Sequence, residues 1–153
     1  MKKIILIGSL AFFTLLVGCD KEETKAVVTD DKTALLTSSQ WKMSSMSYST
    51  STNNSQSVDF PIEDCMKDDR FKFNTDGKAV RTKGTSLCTN ETKEDEIVLW
   101  KFGVNQQSLD IKESTDNEYT SQRIVSLDAN NLILESVNVT DSITVKINVK
   151  YIH

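Results

Sequence analysis

The sequence predicts an all-β fold, an antiparallel up-and-down meander of about eight strands that closes into a barrel. From residue 41 onward apolar residues recur at every second position. The clearest run is the last, where Ile143, Val145, Ile147, Val149 and Tyr151 alternate with Thr144, Lys146, Asn148 and Lys150. Polar breaks of hairpin length separate the runs, as at Asn74-Thr75-Asp76-Gly77, Val104-Asn105-Gln106-Gln107, Ser114-Thr115-Asp116-Asn117 and Asp128-Ala129-Asn130-Asn131. Short breaks pair each strand with its neighbour in sequence, and closure hides the edges that a long meander would expose.

The chain starts differently. Met1-Lys2-Lys3 is basic, and residues 4–17 are apolar apart from Gly8, Ser9 and Thr14. That run is shorter than the roughly 20 residues of a membrane-crossing helix and suits the apolar core of a signal peptide, about 7–15 residues. Residues 1–18 are therefore predicted to be a signal peptide. Leu16-Val17-Gly18-Cys19 resembles a bacterial lipobox. The resemblance implies cleavage before Cys19, lipid attachment to its thiol, and membrane anchoring through the acyl chains. Cys19-Asp20-Lys21-Glu22-Glu23 resembles the Cys-x-Lys-acidic-acidic export signal of Gram-negative bacteria that display lipoproteins on the outer face of the outer membrane. In enteric bacteria an Asp directly after the lipidated Cys means retention at the inner membrane instead. The expected location is the outer membrane, lipid-anchored and exposed at the cell surface, with a periplasm-facing anchor or inner-membrane retention as alternatives.

Residues 19–33 are charged and Thr-rich, with little to bury, and read as a flexible tether. Residues 31–36 can form a helical turn or two, with Asp30 or Asp31 near the N-cap and Leu35 and Leu36 covering one end of the domain beyond. The barrel domain is predicted over residues 34–153. Its first strand, residues 41–50, runs into residues 49–57, which hold no apolar side chain and read as a loop or a poorly paired edge. Phe71 and Phe73 share one face of the next clear strand, and Asp76-Gly77 turns the chain back. In Ile97-Val98-Leu99-Trp100-Lys101-Phe102 both faces are apolar, which predicts cover on both sides at one end. Leu109 pairs with Ile111 on one face and Leu132 with Leu134, whereas residues 119–127 alternate weakly, with Ile124 out of phase.

Composition narrows the chemistry. The formal net charge is −4, and loss of Lys2 and Lys3 with the signal peptide leaves −6 on 135 residues. That argues against nucleic acid or anionic lipid headgroups as partners. With Cys19 lipidated, Cys65 and Cys88 remain, in a compartment where disulfides persist. Two strands and the Asp76-Gly77 turn lie between them, so the hairpin returns the chain near its start and a disulfide is expected. A metal pair or a nucleophilic thiol is the functional alternative. His153 is the only histidine and the last residue, a poor position for a catalytic base or a metal ligand. Glu63, Asp64, Asp68, Asp69, Glu94, Asp95 and Glu96 show no EF-hand spacing and are expected to be solvated. Neither catalysis nor a cofactor or metal is predicted. Trp41, Phe71, Phe73, Trp100 and Phe102 are the candidate lining of the barrel interior. A barrel of this size is either filled by side chains or holds one small ligand, and the bulk of these rings favours a filled one.

Several of these residues together carry a family resemblance. Trp41-Lys42 opens the first strand; Cys65 precedes Asp68-Asp69, Phe71-x-Phe73 and Asp76-Gly77; Cys88 and Trp100 come after them. The pattern is similar to the lipocalin-like domains of small lipoproteins in Gram-negative surface-displaying bacteria, over residues 35–152. The resemblance implies an antiparallel barrel, a Cys65–Cys88 bridge and binding of a small apolar molecule. The Gly-x-Trp signature of lipocalins reads Ser39-Gln40-Trp41 here. Lys146 and Lys150 occupy the last strand, where lipocalins place an arginine over that tryptophan, and Arg123 is the only late arginine. The expected function is a lipid-anchored envelope lipoprotein whose barrel binds a small hydrophobic or amphipathic ligand. The alternative is a non-catalytic protein-interaction or accessory module of an envelope complex, with a filled barrel and with residues 49–57 and 91–96 as its contact surfaces.

Overall fold

The computed structural model describes residues 31–53 and 55–153. The signal peptide, Cys19 and the tether up to residue 30 lie outside the described residues. Helix α1 (Lys32–Thr37) starts within the stretch read as tether; the Asp31 side chain caps it by accepting from the Thr33 N–H at 3.0 Å. One apolar residue of this short helix, Leu36, is buried.

Nine antiparallel strands come after it: β1 (Lys42–Thr50), β2 (Val58–Phe60), β3 (Arg70–Phe73), β4 (Lys78–Thr82), β5 (Glu96–Phe102), β6 (Ser108–Lys112), β7 (Thr120–Leu127), β8 (Asn131–Thr140) and β9 (Ile143–Ile152). They form one sheet in the order β2-β1-β9-β8-β7-β6-β5-β4-β3. From β3 to β9 each strand pairs its sequence neighbours, as the short breaks require. Gly77 shows why one of those breaks works. Its φ of +80° suits a residue without Cβ, and its carbonyl accepts from the Trp100 N–H at 2.8 Å.

Two expectations need correction. Among the described residues the strands number nine rather than about eight, because three residues beyond the polar segment after β1 return as β2 along its outer edge. The sheet is also not closed by a continuous hydrogen-bond ladder, since no ladder joins β2 to β3. The segment between them contains the only proline, Pro61, and a short 3-10 turn at Asp64–Met66, neither of which extends a strand. What joins the two ends of the sheet is one bridge, in which Trp41 and Phe71 exchange both backbone hydrogen bonds, at 2.7 and 2.8 Å.

Local irregularities track the sequence. The register of β7 against β8 slips between Ile124 and Ser126, which accounts for the broken alternation there and lets Ile124 oppose Leu134 on the inner face. On β5 the inner residues Val98, Trp100 and Phe102 pack on the core, but Ile97 is 55 % and Leu99 40 % exposed. The expected cover over both faces of this strand is absent. The core is Leu36, Trp41, Phe73, Ala79, Trp100, Leu109, Leu132 and Leu134.

Candidate functional site

The two ends of the curled sheet are built differently, and the difference arises from side-chain depth along each strand. At one end α1 lies over the interior. Leu36 and Trp41 are completely buried there, and the Trp41 indole Nε1 donates to the Leu36 carbonyl at 2.8 Å. His153 stacks on Trp41 with ring centroids 3.9 Å apart, and its Nδ1 lies 3.1 Å from the Gln40 carbonyl. His153 is therefore held in place over Trp41. Arg123 instead pairs with Glu135 at 2.9 Å. Trp100 donates from Nε1 to the carbonyls of Asn74 and Lys78 and meets Phe73 and Phe102 edge-on. This end is closed.

One layer further along, the rings no longer fill the interior. Phe71, Phe73, Ala79, Val98, Ile111, Leu134 and Tyr151 wall a cavity of about 250 Å³. Its outer rim is polar, formed by Arg81, Glu96, Glu113 and Gln122, with Met66 beside them. Of the five aromatics that the sequence nominates, Phe71 and Phe73 line this cavity, while Trp41, Trp100 and Phe102 belong to the closed end. Tyr151 stands in the alternation of the last strand, but nothing in the sequence marks it as lining. Its phenol is pushed up to about 12 by burial, opposed weakly by the nearby Arg81 charge.

The rim is held by an ion-pair network. Arg81 donates to Asp69 from Nε at 2.8 Å and Nη2 at 2.5 Å, and from Nη1 to Glu96 at 3.2 Å. Lys83 Nζ reaches Glu91 at 2.6 Å and Glu96 at 2.8 Å. The side chains of Asp69 and Lys83 are only 3 % and 2 % exposed, so Asp69 is not the solvated carboxylate expected from the acidic turn. Burial works against the charges on Arg81 and Lys83, but the surrounding carboxylates outweigh it and hold both pKa values above the ordinary. Hydrogen bonds from Lys83 hold Glu91 and Glu96 below the usual carboxylate range. Next to this network Cys65 and Cys88 form a disulfide, with Cα atoms 5.1 Å apart. Glu63 approaches the same two sulfurs, but both are spent in the bridge and offer no thiolate to a metal.

Beyond the rim one wall of the sheet continues alone. The β7–β8 ladder ends at Arg123–Glu135, whereas β8 stays paired with β9 as far as Thr140–Ile143. Val145 and Ile147 stand on the same face of β9 as Tyr151, because strand side chains repeat every second residue. With Met46, Tyr48, Val58, Phe60 and Pro61 they line an open groove of about 540 Å³ in which Asp59 is the one charged side chain. Phe60 is 51 % exposed there. No sequence signal marks this groove, because β2 is too short to show an alternation of its own.

An apolar cavity with an ionic rim can hold and orient a small molecule. Among curated proteins none matches the chain. A family model for the lipocalin-like domain matches residues 39–134, a span from the residue before Gln40 to the end of the inner-facing Leu132–Leu134 pair. With its antiparallel curled sheet, its Cys65–Cys88 bridge and an interior left partly open, the chain belongs to the lipocalin-like domain family.

Proposed function

We propose that this protein is a non-catalytic envelope lipoprotein, lipid-anchored through Cys19, whose barrel binds one small amphipathic molecule. The cavity behind the ionic rim carries the reading. Seven apolar residues wall it and four polar ones edge it, the pattern of small-molecule sites. At about 250 Å³ it lies just under the roughly 300–1,000 Å³ of drug-sized sites, so its ligand is small or extends out of the mouth. The groove on β1, β2 and β9 gives such an extension an apolar wall to lie on.

A second reading, contact with another envelope protein, is favoured by the same groove, because exposed apolar patches of this kind mark interaction surfaces. Native mass spectrometry of the protein purified from its own membrane decides between them. A discrete small-molecule adduct, removed by organic extraction, supports ligand binding. A bare mass together with a co-purified protein partner favours the second reading.

A further inference from the structure

Beside the cavity, where β5 begins and β6 ends, lies a recess of about 320 Å³. The carboxylates of Asp95, Glu96 and Glu113 line it with Ser114 and Thr115, and neither lysine nor arginine does. The recess and the cavity share Glu96, Val98 and Glu113, so the two adjoin. The cations nearby are already engaged. Arg81 is bound to Asp69 and Glu96, and Lys83 is bound to Glu91 and Glu96. Glu113 makes no ion pair among the described residues. Nor do the three carboxylates converge on a metal, since the one such cluster among the described residues is Glu63 with the bridged cysteines.

We propose that cavity and recess form one site for an amphiphile with an organic cationic head, an ammonium rather than a carboxylate. Its apolar part lies among Phe71, Ala79, Ile111 and Tyr151, and its head lies against Glu113 and Asp95. The inference rests on the binding reading above and adds the charge of the ligand. An anionic head would meet carboxylates whose own cations are spent, whereas a cation neutralises charge that the protein leaves open.

The test is calorimetric titration of the full-length protein, at low salt and neutral pH, with octyltrimethylammonium, octanoate and octyl glucoside. The cationic probe is expected to bind about tenfold tighter than octanoate, the size of one charge pair at a partly wet mouth. Added salt should narrow the difference. Glu113 is exposed, so Glu113→Gln should keep the fold while reducing the cation preference to about threefold or less. Octanoate binding as tightly as the cation overturns the inference and leaves the binding reading intact. A preference that survives Glu113→Gln combined with Asp95→Asn also overturns it. Failure of all three probes to bind overturns both.

Discussion

Trp41 has no solvent exposure, and its one polar atom is satisfied by the Leu36 carbonyl. It joins α1, the Phe71 bridge and the His153 ring, so its loss would open the closed end from three sides. Trp41→Ala should destabilise the fold by about 3–5 kcal/mol, measured by chemical denaturation, the usual cost of deleting a buried large aromatic. Tyr151 reports on the open end. Its folded pKa of about 12 lies above the ordinary 10, so burial favours the neutral phenol. The associated stability is fully present below pH 10 and is lost as pH rises from 10 toward 12. Ultraviolet titration should show a late phenolate step near pH 12 that disappears in Tyr151→Phe. The sequence nominates Trp41, Phe71, Phe73, Trp100 and Phe102 as rings of the interior, and all five lie in or against the core. Alternation cannot separate lining from filling, because periodicity reports the face of a strand and not the depth along it.

At the scale of elements, the disulfide and the ion pairs secure a segment with little to bury. Residues 63–69 carry mostly charge, and the Asp68 carboxylate holds Thr85 by its backbone N–H at 2.7 Å and its hydroxyl at 2.8 Å. Cys65–Cys88 spans a sequence separation of 23, a loop whose closure is worth about 3 kcal/mol in the chain-entropy model. Cys65→Ser with Cys88→Ser should therefore lower stability by about 2–5 kcal/mol and leave a β-rich fold. A larger loss with collapse of the dichroism signal would show that the bridge organises the sheet itself. This bridge is legible in the sequence, because the Asp76-Gly77 hairpin brings its ends together. The ionic rim is not. Asp69, Arg81, Lys83, Glu91 and Glu96 come from three separate stretches, and only the pairing of β3, β4 and β5 assembles them. Strand β2 is equally hidden, since it spans three residues, all exposed, paired on one side only.

At the scale of the molecule, the described chain begins at α1, which covers the closed end. The cavity, the acidic recess and the groove gather toward the other end. In a protein anchored through Cys19 this arrangement carries the open end on the side away from the point where the chain joins the barrel. The proposed anchor makes a separate prediction. Labelled palmitate should enter the protein, and Cys19→Ala should abolish the label and release the protein from the membrane; label that persists in the variant would place the lipid elsewhere. The all-β meander is legible because each of its turns is short and polar. The incomplete closure is not, because it depends on β2 ending after Phe60.

Ligand binding inside the curled sheet is tested most directly by methyl resonances in solution. With any of the three octyl probes, the methyl groups of Val98, Ile111 and Leu134 in the cavity wall should shift in a saturable way. Those of Val104 and Val139, exposed outside the cavity, should stay fixed. Cavity methyls that remain unmoved at saturation, or shifts confined to Val58, Val145 and Ile147 in the groove, would contradict a binding site within the barrel.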